Sequence, residues 1–234
     1  MKTQQIFTQP FTKNQILTGM LYFFIGHNLI TPVILLLVLG EDNGGLMSII
    51  NIAIITLFMV GLTFKKLKSD FSRFIKNAVS LLWLVPLLYV IQLLGRMVVT
   101  VLMQLIHGVV SLGDNQEAVE SIFAEFPILM GIMIVVFAPI WEELFFTGFI
   151  YESLRKKNKI LAYIVTSVAF GLLHTFFAMI LNFSPILILA TFIYVPLSMV
   201  CCYVYEKTDS IWSAIMMHAF SNGMALVFLL AASV

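Results

Sequence analysis

The sequence predicts an all-α, polytopic integral membrane protein with about seven transmembrane helices. Of its 234 residues, 61% are hydrophobic and 11% are charged, whereas a soluble domain of this size is about one-quarter charged. Clusters of charge separate uncharged runs, and each run approaches the roughly 20 apolar residues that cross a bilayer. The excess apolar surface therefore faces lipid.

Seven spans follow from these runs. The first run is too long for a cleaved signal peptide, so we interpret it as a retained span. The uncharged stretch from Ile160 to Tyr205 is too long for one helix, and the turn Asn182-Phe183-Ser184-Pro185 divides it, because proline is favoured at a helix start. The predicted spans lie near residues 15–38, 46–64, 77–106, 127–154, 159–181, 185–205 and 210–233.

The distribution of basic residues predicts the orientation. Twelve of the 13 lysines and arginines precede the first span or fall in alternate connections, and Arg96 is the exception. Because basic connections stay on the cytoplasmic side, we expect a cytoplasmic N-terminus. We also expect one membrane domain over 1–234, with three spans in 1–126 and the chemically informative part in 127–234. The mixed polar and apolar stretch 107–126 fits an interfacial helix.

Composition also bears on partners. The net charge is +1 and the chain has no basic stripe, so we expect no nucleic-acid partner. Cys201 and Cys202 are adjacent and cannot form an ordinary long-loop disulfide, so we expect both to serve as small apolar residues. Membrane lipid is the expected partner, and the oligomeric state is left open.

Two adjacent glutamates interrupt the fourth span in the sequence "PIWEELFFTGF". An ionisable side chain at the centre of a transmembrane helix costs about 2.5–3.5 kcal/mol on insertion scales, so function is the first hypothesis for such a residue. Glu143, His174 and His218 lie twelve, fifteen and nine residues from the basic or acidic ends of their spans. At about 1.5 Å per residue, they share a layer roughly 14–22 Å below the boundary.

Helical spacing refines this grouping. His218 and Asn222 are four residues apart and share one helix face, as do Phe170 and His174. Glu142 and Glu143 are about 100° apart around their helix, so one can face a reaction centre while the other is held by a neighbour. Such groups suit activation of a water by a base with stabilisation of an oxyanion, or a metal site with oxygen and nitrogen ligands.

The same polar residues could have simpler roles than catalysis or metal binding. The two glutamates could be structural or relay protons, Asn222 could bond a neighbouring helix, and His27 and His107 are predicted to be packing residues. Arg96 could snorkel to the interface or pair with a buried carboxylate. An ion-coupled transporter is a further alternative, although the chain shows no inverted repeat and no matching pair of broken helices.

Three stretches, "APIWEELFFTGFIYESL", "FGLLH" and "HAFSN", together resemble the CPBP family, which includes the type II CAAX prenyl endopeptidases and bacterial Abi proteins. The family pattern is Glu-Glu-x-x-x-Arg, then Phe-x-x-x-His, then His-x-x-x-Asn or Asp, each on its own span. The resemblance covers residues 127–225 and implies an intramembrane protease in which Glu142, helped by His174, activates the attacking water. It further implies that His218 and Asn222 stabilise the oxyanion, and that Glu143 orients the arrangement.

The chain departs from the family pattern at one position, where Thr147 replaces the motif arginine. Glu143 therefore lacks its expected counter-charge, and could be protonated, bonded by Thr147, or met by Arg96. The departure keeps an alternative open, a non-catalytic relative that acts as a bacteriocin self-immunity or peptide-binding membrane protein.

The expected function is an intramembrane endopeptidase that cleaves a membrane-associated or lipid-modified peptide in a bacterial plasma membrane. We favour a mechanism of the glutamate type without a cofactor. If a divalent metal such as zinc takes part, Glu142, His174 and His218 would be its ligands.

Overall fold

The computed structural model describes residues 7–108, 114–181 and 184–232, and within these ranges all regular structure is helical. Among the described residues, seven helices are long and apolar enough to span a membrane. This confirms the predicted all-α polytopic architecture and the number of spans. The spans are α1 (Lys13–Leu39), α2 (Gly44–Lys76), α3 (Ala78–His107), α4 (Pro127–Arg155), α5 (Lys159–Leu181), α6 (Pro185–Thr208) and α7 (Ile211–Ala232).

Local sequence sets the ends of several helices. Thr12 caps α1 in a reciprocal capping box with Gln15, which satisfies two backbone donors of the first turn. Pro185 begins α6 as predicted, whereas Asn182 and Phe183 of the predicted turn lie outside the described residues. A connecting helix, Asp114–Glu125, occupies most of the stretch expected to form an interfacial helix.

The predicted second connection is wrong. The second span was predicted near residues 46–64, with the connection that follows it holding the basic residues Lys65, Lys66, Lys68, Arg73 and Lys76. Instead, α2 remains helical to Lys76 and only Asn77 separates it from α3. The reason is a buried carboxylate, Asp70, that the prediction did not weigh. Lys66 and Arg73 both pair with it along the helix, so the charged turns are held together and packed.

We call this region the basic end: the last three turns of α2, the end of α4, the junction of α6 with α7, and residues 7–12. Asp70 is fully buried, lies 2.9 Å from Lys66 Nζ, and accepts a 3.0 Å hydrogen bond from the backbone N–H of Ile211. Glu152 is also fully buried and accepts from the hydroxyl of Tyr205 at 2.6 Å. The basic end is therefore a bonded network of charges.

Residues 7–12 are fixed to this network. The backbone N–H of Thr8 donates to the Asp209 carboxylate at 3.1 Å, and that of Phe11 donates to Glu152 at 2.9 Å. The ring of Phe7 stacks on Tyr205 with the centroids 4.6 Å apart. Both phenylalanines are buried, so the segment before α1 is part of the core.

Two π-helical stretches, Met133–Phe137 and Leu144–Tyr151, flank the glutamate pair within α4. Such wider turns are rare in helices and are frequent at functional sites. Helix α4 packs against α2, α5 and α7, while α6 packs against α3, α5 and α7. The glutamates of α4 therefore lie where α4, α5 and α7 meet.

Candidate functional site

The two glutamates of α4 point in different directions, as their 100° separation predicts. Glu142 lines a cavity inside the bundle. Glu143 is only 1% exposed and is bonded to neighbouring side chains. The sequence therefore places one carboxylate on a cavity wall and holds the other behind it.

Glu142 faces both histidines of the predicted layer. Its Oε2 atom lies 4.0 Å from His174 Nε2 and 4.0 Å from His218 Nε2. This oxygen is buried and makes no direct hydrogen bond within the described part of the chain. Separations of this length are too long for a direct bond but suit a bridging water. Helices α4, α5 and α7 thus bring one carboxylate and two imidazoles to a single point.

Glu143 is bonded on both of its oxygens. His218 Nδ1 donates to Oε1 at 2.8 Å, and Thr147 Oγ1 donates to Oε2 at 2.6 Å. Of the two partners considered for this carboxylate, Thr147 is confirmed, and Arg96 forms no ion pair with it. Thr147 is itself buried against Cys202, with Oγ1 and Sγ 3.7 Å apart.

Both histidines hold a proton on Nδ1 and turn Nε2 towards Glu142. His174 Nδ1 donates to the carbonyl oxygen of Phe170 at 2.9 Å, and a carbonyl only accepts. His218 Nδ1 donates to the Glu143 carboxylate. Such bonds fix the tautomer and the ring orientation. The ring of Phe170 packs beside both imidazoles, with centroids 4.8 Å from His174 and 5.6 Å from His218.

Asn222 lines the same cavity, one turn beyond His218. Its Nδ2 donates to the carbonyl oxygen of Ile134 in α4 at 3.0 Å, as the alternative of a bond to a neighbouring helix predicts. The carboxamide has two N–H donors, so one remains for a second acceptor. The structure thus anchors Asn222 on α4 and keeps it on the cavity wall.

The cavity has a volume of about 390 Å³ and is formed by residues from all seven spans and from the connecting helix. The ring of His27 packs against Phe23 and Trp141, as the predicted packing role requires. His27 also lines the cavity, which the prediction did not include. His107 is exposed at the end of α3, and its predicted packing role is wrong. Arg96 also lines the cavity. Cys201 and Cys202 are free and buried, as predicted.

Sequence reasoning missed three residues of the site. Tyr194 of α6 stacks on the His174 ring with centroids 4.2 Å apart. Gln92 of α3 donates to the hydroxyl of Ser221 at 2.9 Å, next to Asn222. Gln92 was detectable as a polar residue in an apolar span. Nothing in the sequence separates Tyr194 from the other tyrosines.

The arrangement does not fit the zinc ligand set considered above. Zinc binds imidazole nitrogen at about 2.0–2.1 Å, which puts tetrahedral ligand atoms about 3.3 Å apart. Glu142 Oε2 lies 4.0 Å from each Nε2. Within the described residues, no group of three or more His, Cys, Asp or Glu side chains is placed to hold a metal ion.

The fold and the site define an all-helical integral membrane protein with a carboxylate–imidazole centre beside an internal cavity. Residues 124–224 match the family model of the Rce1-like type II CAAX prenyl endopeptidases. The matched stretch contains all three motifs, so the resemblance drawn from them is confirmed over this part of the chain. No solved structure gives a significant match.

Curated relatives come from Lactococcus lactis. The "UPF0177 protein in abiGi 5'region" of subsp. cremoris is 34% identical over 108 residues, which cover 46% of this chain and 41% of the relative. UPF0177 protein YaiH of subsp. lactis is 31% identical over 110 residues, or 47% of this chain and 42% of the relative. UPF0177 protein YbdI is 27% identical over 150 residues, or 64% and 76%. The chain thus spans about two fifths of the first two relatives.

Proposed function

We propose that the protein is an intramembrane endopeptidase in which Glu142 activates a water molecule. The observation that carries the proposal is the position of Glu142 Oε2, buried on the cavity side and 4.0 Å from the Nε2 atoms of both His174 and His218. The substrate is a membrane-associated or lipid-modified peptide, and the membrane is a bacterial plasma membrane. The Rce1-like match and the Lactococcus relatives support both assignments.

The proposed reaction moves one proton from the water to Glu142 and from Glu142 to the leaving group. Glu142 accepts a proton from a water that also bonds to an imidazole, and the hydroxide attacks the carbonyl carbon of the peptide. General-base assistance of this kind contributes about 10²–10⁴-fold. The proton on Glu142 then passes to the leaving amine as the C–N bond breaks. The hydroxyl of the water stays on the new carboxyl group and its proton leaves with the amine, so the carboxylate of Glu142 and the imidazoles return to their starting protonation states.

The negative charge on the former carbonyl oxygen needs donors. Asn222 supplies the N–H that is not bonded to Ile134, and His218 supplies its Nε2 proton when the ring is doubly protonated. Glu143 stabilises that imidazolium through its 2.8 Å bond to Nδ1. Preorganised donors of this kind are usually a large contribution to catalysis because they need no reorganisation during the reaction.

The non-catalytic alternative depends on Thr147 in the arginine position. Glu143 has two hydrogen-bond partners without that arginine, so its loss leaves no unbonded carboxylate. This supports the peptidase over a relative that only binds a peptide, such as a self-immunity protein.

The test is peptide cleavage by the purified protein in detergent, with wild type, Glu142→Gln and the exposed Glu125→Gln as a matched control. The substrates are pools of prenylated and leader-type peptides, each assayed with and without a chelator. We expect cleavage by wild type and Glu125→Gln, a loss of about 10²-fold or more in Glu142→Gln, and no effect of the chelator. Equal cleavage by both variants would refute the role of Glu142, and loss to the chelator would replace the mechanism with a metal-dependent one.

A further inference from the structure

Arg96 is a charged residue that the proposed reaction does not use. It lies on α3 and lines the same cavity as Glu142. Among the residues that the structure describes, no carboxylate lies within ion-pair distance of its guanidinium. A cation inside a membrane span normally faces a partner or a water-filled space. We therefore expect the partner of Arg96 to be a group that binds in the cavity.

The contacts between α3 and α7 give the position of Arg96 relative to the reaction centre. Just before these helices begin, Nδ2 of Asn77, which precedes α3, lies 3.5 Å from the carbonyl oxygen of Thr208, the last residue of α6. Further along, the ring of Tyr89 packs on Phe220, and Gln92 bonds Ser221 at 2.9 Å. Residue numbers rise together in the two helices, so α3 and α7 run parallel. Arg96, one turn beyond Gln92, is level with Ala225, which also lines the cavity.

This register fixes a distance along the bundle. His218 precedes Ser221 by three residues, and Arg96 follows Gln92 by four. At 1.5 Å per residue, the backbone of Arg96 lies about 10 Å beyond that of His218 along the helix axes. An extended peptide covers about 3.3–3.6 Å per residue. A peptide cleaved beside Glu142 and His218 can therefore bring a group about three residues away to Arg96.

The other groups that line the cavity near Arg96 on α7 are uncharged. Ser221 and Asn222 lie between His218 and the level of Arg96, Leu226 lies just beyond it, and none of them carries a charge that pairs with an arginine. An arginine presents a planar fork of donors that matches a carboxylate bidentately. Such a pair gains strength away from water, because the surroundings screen it little.

We infer that Arg96 binds a carboxylate of the peptide substrate, and that this contact selects peptides with a negative charge about three residues beyond the cleaved bond. The inference rests on the proposed function, since it supposes that the peptide is cut beside Glu142. The carboxylate comes from a free C-terminus or from an acidic side chain. Arg96 therefore determines which peptides bind in the cavity, and Glu142 activates the water that cleaves the bound peptides.

The test compares matched peptides in binding and in cleavage. One set of farnesylated peptides is made with a free C-terminal carboxylate, a second with a C-terminal amide, and a third with the amide and one Glu at successive positions. Binding to the full-length protein in nanodiscs is measured by fluorescence anisotropy in the Glu142→Gln background, where peptide stays intact. Cleavage is measured with Glu142 present. Both assays use the wild-type residue at 96, Arg96→Lys, Arg96→Gln, and the exposed Lys157→Gln as a charge control.

We expect peptide acids, or amides with one well-placed Glu, to bind roughly tenfold or more tightly than plain amides, because the lost contact is a charged hydrogen bond. Arg96→Gln should abolish the preference, Arg96→Lys should retain part of it, and Lys157→Gln should leave it unchanged. A preference for C-terminal acids identifies the terminus as the ligand, and one confined to internal Glu identifies the side chain.

Several results would overturn the inference. The inference fails if no peptide binds, or if charged and uncharged peptides bind equally well. It also fails if the preference for charged peptides remains in Arg96→Gln. If Arg96 only snorkels to the interface, the plain amides and the acids will be cleaved equally by every variant. Binding with the expected preference but without cleavage of any peptide would refute the peptidase and leave the carboxylate site intact.

Discussion

The basic end and the cavity both bury carboxylates in apolar helices, but they differ in how completely those charges are bonded. Asp70 receives a lysine, an arginine and a backbone N–H. Glu142 has two imidazoles that approach no closer than 4.0 Å. Buried charge that is fully bonded supports the fold, whereas buried charge left open on a cavity is available for chemistry. The contrast predicts that substitutions in the basic end lower the stability of the protein, whereas substitutions at the cavity lower its activity.

The largest effect on stability is expected at Asp70. Asp70→Ala leaves Lys66 and Arg73 without their shared partner, and breaking a buried pair in this way costs about 3–5 kcal/mol. We expect a markedly lower midpoint of unfolding in a detergent-denaturant titration, with cleavage per folded molecule retained. The exposed Asp42→Ala is the control. An unchanged midpoint would mean that the basic end does not carry the stability assigned to it.

An intermediate effect on activity is expected at Glu143. Glu143→Gln keeps acceptor geometry for His218 Nδ1 but removes the charge that stabilises the imidazolium. Loss of a residue that orients a metal-bound histidine typically costs about 10–100-fold in activity, and we take the same factor for the partner of His218. We expect kcat to fall by that factor while the unfolding midpoint and KM change little. A fall in stability without a fall in kcat would place Glu143 with the structural carboxylates of the basic end.

The smallest effect is expected at Thr147. Thr147→Val keeps the shape and removes one hydrogen bond to Glu143, which still accepts from His218. The loss of one such bond amounts to about 1 kcal/mol, or roughly fivefold in rate if all of it is felt in the transition state. Thr147→Ser, which keeps the hydroxyl, should behave like wild type. A loss as large as that in Glu143→Gln would show that Thr147 takes over the function of the motif arginine.

Much of this arrangement follows from the sequence because a membrane limits what a helix can do. Uncharged runs locate the spans, and residue counting places Glu143, His174 and His218 in one layer. The separation of Glu142 from Glu143 around the helix also follows from spacing alone. These are properties of single helices, and each one is fixed by its own stretch of sequence.

The relations between helices were not predictable in the same way. The position of Arg96 opposite Ala225 and the stack of Tyr194 on His174 depend on how α3 and α6 are rotated against their neighbours. Such rotations arise from packing across the whole bundle. The helical continuation of α2 to Lys76 was missed for a related reason, since its charges are balanced by a buried aspartate and by the backbone of α7.

The attachment of residues 7–12 has a consequence for the order in which the chain is built. Thr8 is bonded to Asp209, 201 positions later in the chain, and Phe7 stacks on Tyr205. A ribosome therefore delivers these early residues long before their partners exist. Phe11 finds Glu152 and Phe149 once α4 has been made, whereas Phe7 and Thr8 lack their partners until α6 and its junction with α7 have been made. Complete attachment of this segment therefore requires synthesis to reach the start of the last span, and a chain that stops before Tyr205 leaves Phe7 without the ring that covers it.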